Sequence, residues 1–152
     1  MRLPRSAAGW TVAVFGGLAL TMGALGLLWP AGLLGLMGLT VPTGRAPGDH
    51  TGAFLLASSM AAFNMGVYYL LAAVTDWRAF FRFSVVFRLV TVVVFVIAVV
   101  AEIAPGRFLG VAAWEGLGAL ATALGLRHDA RAVTPAAAGG PVSSTPVTGA
   151  GR

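Results

Sequence analysis

Cysteine and lysine are both absent from this chain of 152 residues, and Asp and Glu together number only five. Without cysteine there is no disulfide framework, no thiolate nucleophile and no cysteine-ligated metal. Two histidines remain, His50 and His128. His50 follows a Pro/Gly-rich loop and His128 follows the last apolar run, so a four-span thread places them on opposite faces, where they share neither a metal nor a proton. Asp49 and His50 are adjacent but lack further ligands, and helix capping accounts for Asp49. No serine has a histidine and an acid near it, and no glycine-rich loop stands between a strand and a helix to hold phosphate. These absences imply no cofactor and leave little from which to build an enzyme, though they do not exclude one. They also leave no basic face for nucleic acid beyond the arginines that flank the apolar runs.

Apolar residues are abundant: 58% of the chain is hydrophobic, 10% is charged, and the mean hydropathy is +0.88. A soluble domain cannot hide that much apolar side chain. About 20 apolar residues at about 1.5 Å each cross a hydrocarbon core about 30 Å thick. Four runs of that length occur, at about 10–29, 51–74, 80–101 and 107–126. The expected fold is therefore all-α, a bundle of four transmembrane helices embedded in the lipid bilayer of the cell membrane. Trp10 and Trp29 stand 19 residues apart, about 28 Å along a helix. That spacing suits two interfacial anchors. Pro30 ends or kinks the first span, and the glycines at 32, 35 and 38 among leucines predict a short interfacial helix or a kinked extension. The valine-rich block 89–100 reads as lipid-facing helix, because only helices and closed barrels satisfy the backbone in hydrocarbon. Gly16, Gly17, Gly23 and Gly26, with the glycines and alanines of the last span, mark faces where helices approach closely.

The segment 1–9 reads as a cytoplasmic N-terminus. Arg2 and Arg5 before an apolar run resemble a secretory signal, but the run is too long and lacks a small-residue cleavage site, so it is read as a retained span. Residues 127–152, rich in Ala, Gly, Pro, Ser and Thr, read as a disordered cytoplasmic tail. Arg2, Arg5, Arg78, Arg82, Arg127 and Arg131 fall on one side of the thread against Arg45 and Arg107 on the other, which places both termini in the cytoplasm by the positive-inside rule.

An ionisable or strongly polar residue inside a span is a functional candidate by default. The candidates are Arg88, Glu115, Asn64, Tyr68, Ser84 and Thr91. Depth counted from the turn at Trp77 puts Asn64 and Arg88 at nearly one level, so Asn64, Tyr68, Ser84, Arg88 and Thr91 form an expected polar seam between the second and third spans, with structural cohesion as its leading role. Depth counted from Pro105 sets Arg88 and Glu115 about 12 Å apart, which argues against a direct pair. Glu115 shares a face with Gly118 and Thr122 and so points into the bundle, where burial without a close cation would favour its neutral form. Glu102 and Arg107, beside the outer turn, are expected to form a wet surface pair of little weight.

The run Gly23-Ala24-Leu25-Gly26-Leu27-Leu28-Trp29-Pro30, then Leu33-Leu34-Gly35-Leu36, an outer loop and three further spans resembles the small four-helix bacterial membrane proteins of the DoxX-like type. The resemblance covers the hydropathy layout of about residues 10–126. It implies a four-helix membrane fold and, by association, redox or quinone-linked membrane complexes, and it carries no functional residue across. Abundant Ala, Gly and Arg without Lys is also the composition of a GC-rich bacterial genome. Small multidrug transporters share only the size, since their membrane glutamate lies in the first helix and Glu115 lies in the last. Three classes of function stay open. The first is a non-enzymatic subunit or accessory factor, paired with a membrane protein or with copies of itself. The second is a proton- or small-solute-coupled transporter or channel protomer built on Glu115 and Arg88. The third is a membrane enzyme acting on a lipid or quinone through Glu115, Asn64, Tyr68 and Arg88.

Overall fold

Helices form wherever the apolar runs predicted them, and the computed structural model describes residues 3–44 and 46–133. In chain order they are α1 (Ala7–Leu28), α2 (Pro30–Leu36), α3 (Thr51–Val74), α4 (Arg78–Val100) and α5 (Phe108–Val133). All but α2 are long and apolar enough to cross a membrane. Their outer surfaces are those of lipid-solvated helices: Val86, Val90, Val93 and Ile97 on α4 each leave half or more of their area uncovered. Trp10 and Trp29, near the two ends of α1, are both exposed, as interfacial anchors require.

Local chemistry sets the helix ends. Ser6 has extended backbone and its Oγ accepts from Gly9 N–H at 3.0 Å, which caps α1. Trp29 breaks α1, and Pro30 restarts the chain as α2, the short helix expected after the first span. Asp49 Oδ1 accepts from Thr51 N–H at 2.9 Å at the start of α3. Three helices stop in the same way, with a left-handed residue after the C-cap: Gly38 after α2, Asp76 after α3 and Glu102 after α4. Each donates its N–H to the carbonyl three residues back, and the next residue donates to the carbonyl five back, as Ile103 does to Ala98 at 2.9 Å.

Helix α1 packs along α3 on one side and α5 on the other, and α4 packs mainly along α5 while its inner residues Phe81 and Arg88 reach α1 and α3. Small residues set this order. Gly9, Gly16 and Gly23 recur every seventh residue on α1, and Ser59, Gly66 and Ala73 do so on α3. A Cβ at Gly23 would strike the backbone of Phe63, and one at Gly66 would lie 2.7 Å from Leu20 Cα. The heptad spacing is that of left-handed helix pairs. On the other side Ala8 meets Gly125, and Thr11 and Thr122 share a hydroxyl hydrogen bond of 3.1 Å. Helices α3 and α4, joined by a short turn, meet through large side chains rather than close backbones: Tyr69 packs edge-on to Phe80 with centroids 5.4 Å apart, and Phe81 shares a core cluster with Ala72 and Ala73. The small-residue face of α3 is occupied by α1, and the valines and phenylalanines of α4 do not allow the close approach that would compete for it.

Helix α5 continues seven residues past Leu126, to Val133, into the segment expected to be tail. Asp129 holds that extension against the start of α1, accepting from Ala7 N–H at 3.0 Å and Ala8 N–H at 3.1 Å. The rest of the expected tail, 134–152, lies outside the described residues.

Candidate functional site

A buried arginine sits at mid-span, on the inner stripe of α4. Phe81, Ser84 and Arg88 recur at three and four residues and are all buried, so the α4 backbone turns Arg88 toward α1 and α5. Its guanidinium carbon lies 3.7 Å from the ring centroid of Phe15 on α1 and 5.0 Å from that of Tyr69 on α3. Nε is 3.7 Å from Glu115 Oε2 on α5. Gly118, one turn beyond Glu115, supplies the space, because a Cβ there would overlap both Arg88 Nη1 and the tip of Phe15. Trp114 tilts against Phe15 with centroids 4.7 Å apart. The guanidinium is thus enclosed by two aromatic rings, one carboxylate and one glycine.

The electrostatics are those of a buried charge with two guanidinium nitrogens lacking hydrogen bonds. Arg88 is 3% exposed, whereas the Glu115 side chain keeps 26% of its surface. Nε and Nη1 have no hydrogen-bond partner, and 3.7 Å is too long for one. Coulombic attraction in a low-dielectric interior and the ring quadrupoles hold the cation instead; a desolvated cation over an aromatic face is worth about 2 kcal/mol or more.

Three expectations are corrected here. Arg88 and Glu115 do pair, because residues 101–107 form the turn and consume chain without adding depth. From the ends of α4 and α5 the offset is about 7.5 Å, which two long side chains span. The seam between the second and third spans does not form. Tyr68 is exposed, and among the described residues neither Asn64 nor Tyr68 has a side-chain hydrogen bond. Ser84 donates to Phe81 O at 2.9 Å and Thr91 to Phe87 O at 3.1 Å, both within α4. The aromatic partner from α3 is Tyr69, which was not among the expected seam residues. Gly66 and Ala73 mark the inner face of α3, and Tyr69 lies three residues from Gly66 on that face. The pair expected of Glu102 and Arg107 is also absent, since the guanidinium of Arg107 lies over Gly38.

A second polar constellation, unforeseen in the sequence, closes one end of the bundle. Ser6 Oγ donates to Asp76 Oδ1 in the α3–α4 turn, and Arg78 Nε donates to Asp76 Oδ2 at 3.3 Å. With Asp129 on the α1 amides, the starts of α1 and α4 and the end of α5 are fastened at one level. Ser6 directly before the first apolar run was the available signal. At the opposite end two open hollows of about 670 and 560 Å³ flank Leu34, with His50, Thr51, Phe54 and Leu55 lining the larger.

Four membrane-length helices around a buried arginine paired with a partly exposed glutamate define a small multi-pass membrane protein. No family model, curated protein or solved structure matches the chain.

Proposed function

We propose that the chain is a non-enzymatic four-helix subunit or accessory factor of a membrane complex, inserted with both ends of its helical domain toward the cytoplasm. The supporting observation is that the mid-span charges are spent on each other. Arg88 is sealed by Phe15, Tyr69 and Glu115 at the junction of α1, α3, α4 and α5, the position from which one ion pair fixes helix order. Removing one partner from such a pair costs far more than the pair itself contributes, so it specifies an arrangement more than it adds stability. Most serine and threonine hydroxyls of the spans bond within their own helix or between α1 and α5, and Ser59 Oγ on α3 is buried without a partner. The outer faces of α3 and α4, being apolar, are left for lipid, a partner or a second copy.

The second reading is a proton- or solute-coupled protomer, favoured by the residual exposure of Glu115 beside a fully buried cation. Flux measurement separates the two. Purified protein in proteoliposomes is expected to carry no proton- or solute-coupled flux, while solubilisation from native membranes in mild detergent yields a particle heavier than the 15.5 kDa chain. Flux in the wild type that Glu115→Gln abolishes would overturn the subunit reading.

A further inference from the structure

The lipid-facing stripes of α4 and α5 both end in arginine, and at the same end of the bundle. On α5, Leu117, Leu120 and Leu124 are exposed and lead directly to Arg127 and Arg131, also exposed. On α4, Val93, Val90 and Val86 are exposed and lead to Arg82. The two helices pack along each other in opposite directions. Arg82 lies about 6 Å inside the start of α4, and Arg127 about 3 Å inside the level of Asp129. That end has no spare carboxylate among the described residues. Asp76 is taken by Ser6 and Arg78, and Asp129 by the amides of Ala7 and Ala8. Among the described residues Arg5, Arg82, Arg127 and Arg131 make no ion pair. Trp77, 58% exposed, stands at the same level.

We propose that this face of α4 and α5 is a binding site for an acidic phospholipid, its acyl chains along the valine and leucine stripes and its phosphate against Arg82, Arg127 and Arg131. Charge complementarity selects the occupant. Guanidinium groups at headgroup depth offer paired donors to phosphate oxygens, and the apolar stripes directly below them match acyl chains, which an acidic protein segment lacks. Among the described residues the opposite end does not repeat the arrangement, because Arg107 is turned over Gly38. The site therefore lies in the leaflet at the arginine end.

Native mass spectrometry of the full chain, released from micelles containing equimolar phosphatidylglycerol and phosphatidylcholine, tests the site. Phosphatidylglycerol adducts are expected to exceed phosphatidylcholine adducts by about fivefold or more, the factor one arginine supplies near an acidic surface. The preference should fall to near parity in R82Q/R127Q/R131Q and persist in R82K/R127K/R131K. Equal adducts in the wild type, or an undiminished preference in the glutamine variant, would overturn the proposal. So would stronger binding of a soluble polyglutamate peptide to the chain in phosphatidylcholine nanodiscs, which would assign the face to a protein. Should the triple glutamine variant lose helicity by circular dichroism, Arg82→Gln and Arg127→Gln singly carry the test, and an unchanged preference in both overturns it.

Discussion

At the scale of single residues, Arg88 is the costliest placement in the molecule and the one with most compensation around it. An arginine at mid-span costs about 2.5 kcal/mol or more on insertion scales, and here it also forgoes hydrogen bonds at Nε and Nη1. Glu115 at 3.7 Å and the Phe15 ring at 3.7 Å offset that cost. Glu115→Leu leaves a buried cation without its counter-charge and is expected to destabilise the bundle by about 2–4 kcal/mol. Adding Arg88→Leu removes the orphaned charge, so the double variant should be more stable than Glu115→Leu alone. Unfolding in mixed micelles reads both, and simple additivity of the two losses would show that the pair is not coupled. Arg88 and Glu115 were legible as candidates because charge stands out in an apolar run. Their contact was not, since counting residues across a turn overstates depth. The choice between Tyr68 and Tyr69 turns on about 100° of helix rotation, which only the spacing of Gly66 and Ala73 reveals.

Among the elements, the spans and the short α2 could be read directly, because apolar length is a strong signal and Pro30 is an unambiguous break. Which helices pack together was harder, since neighbours in sequence need not be neighbours in a bundle: α3 turns its small-residue face to α1 rather than to α4. The glycines of α1 are not equivalent, and this gives an internal control. A Cβ at Gly17 meets nothing within 4 Å, whereas at Gly23 or Gly66 it runs into the backbone of the facing helix. Gly23→Ala and Gly66→Ala are each expected to lower stability by about 1–3 kcal/mol through forced separation of α1 and α3. Gly17→Ala should be neutral or stabilise by up to about 1 kcal/mol through the unfolded chain. Reversible unfolding in detergent ranks the three, and equal effects would mean that the α1–α3 contact is not tight. The end of α5 escaped the sequence because 127–133 is polar and looks like tail; what makes it helical is a tertiary bond from Asp129 to α1.

For the whole molecule, that same bond decides how the chain closes. Asp129 and Asp76 bind the first turn of α1 from the last helix and from the middle turn, so the first and last described segments meet at one end. A carboxylate on the free amides at a helix start contributes about 1–2 kcal/mol. Asp129→Ala should cost that much and speed hydrogen exchange at Ala7 and Ala8, while leaving amides at mid-α3 protected; unchanged exchange at Ala7 would refute the closure. Four crossings then require the turn at 101–107 to face away from Leu3. Arg5, Arg78, Arg82, Arg127 and Arg131 stand at the closed end, and the positive-inside rule predicts that this end faces the cytoplasm. Absence of native cysteine makes this directly measurable with single introduced thiols. Arg5→Cys should react with a membrane-impermeant maleimide only after cells are opened, and Gly106→Cys, at an open position in the outer turn, should react in intact cells. Labelling of both in intact cells would break the four-crossing thread, and the reverse pattern would invert it, placing the arginine end in the outer leaflet.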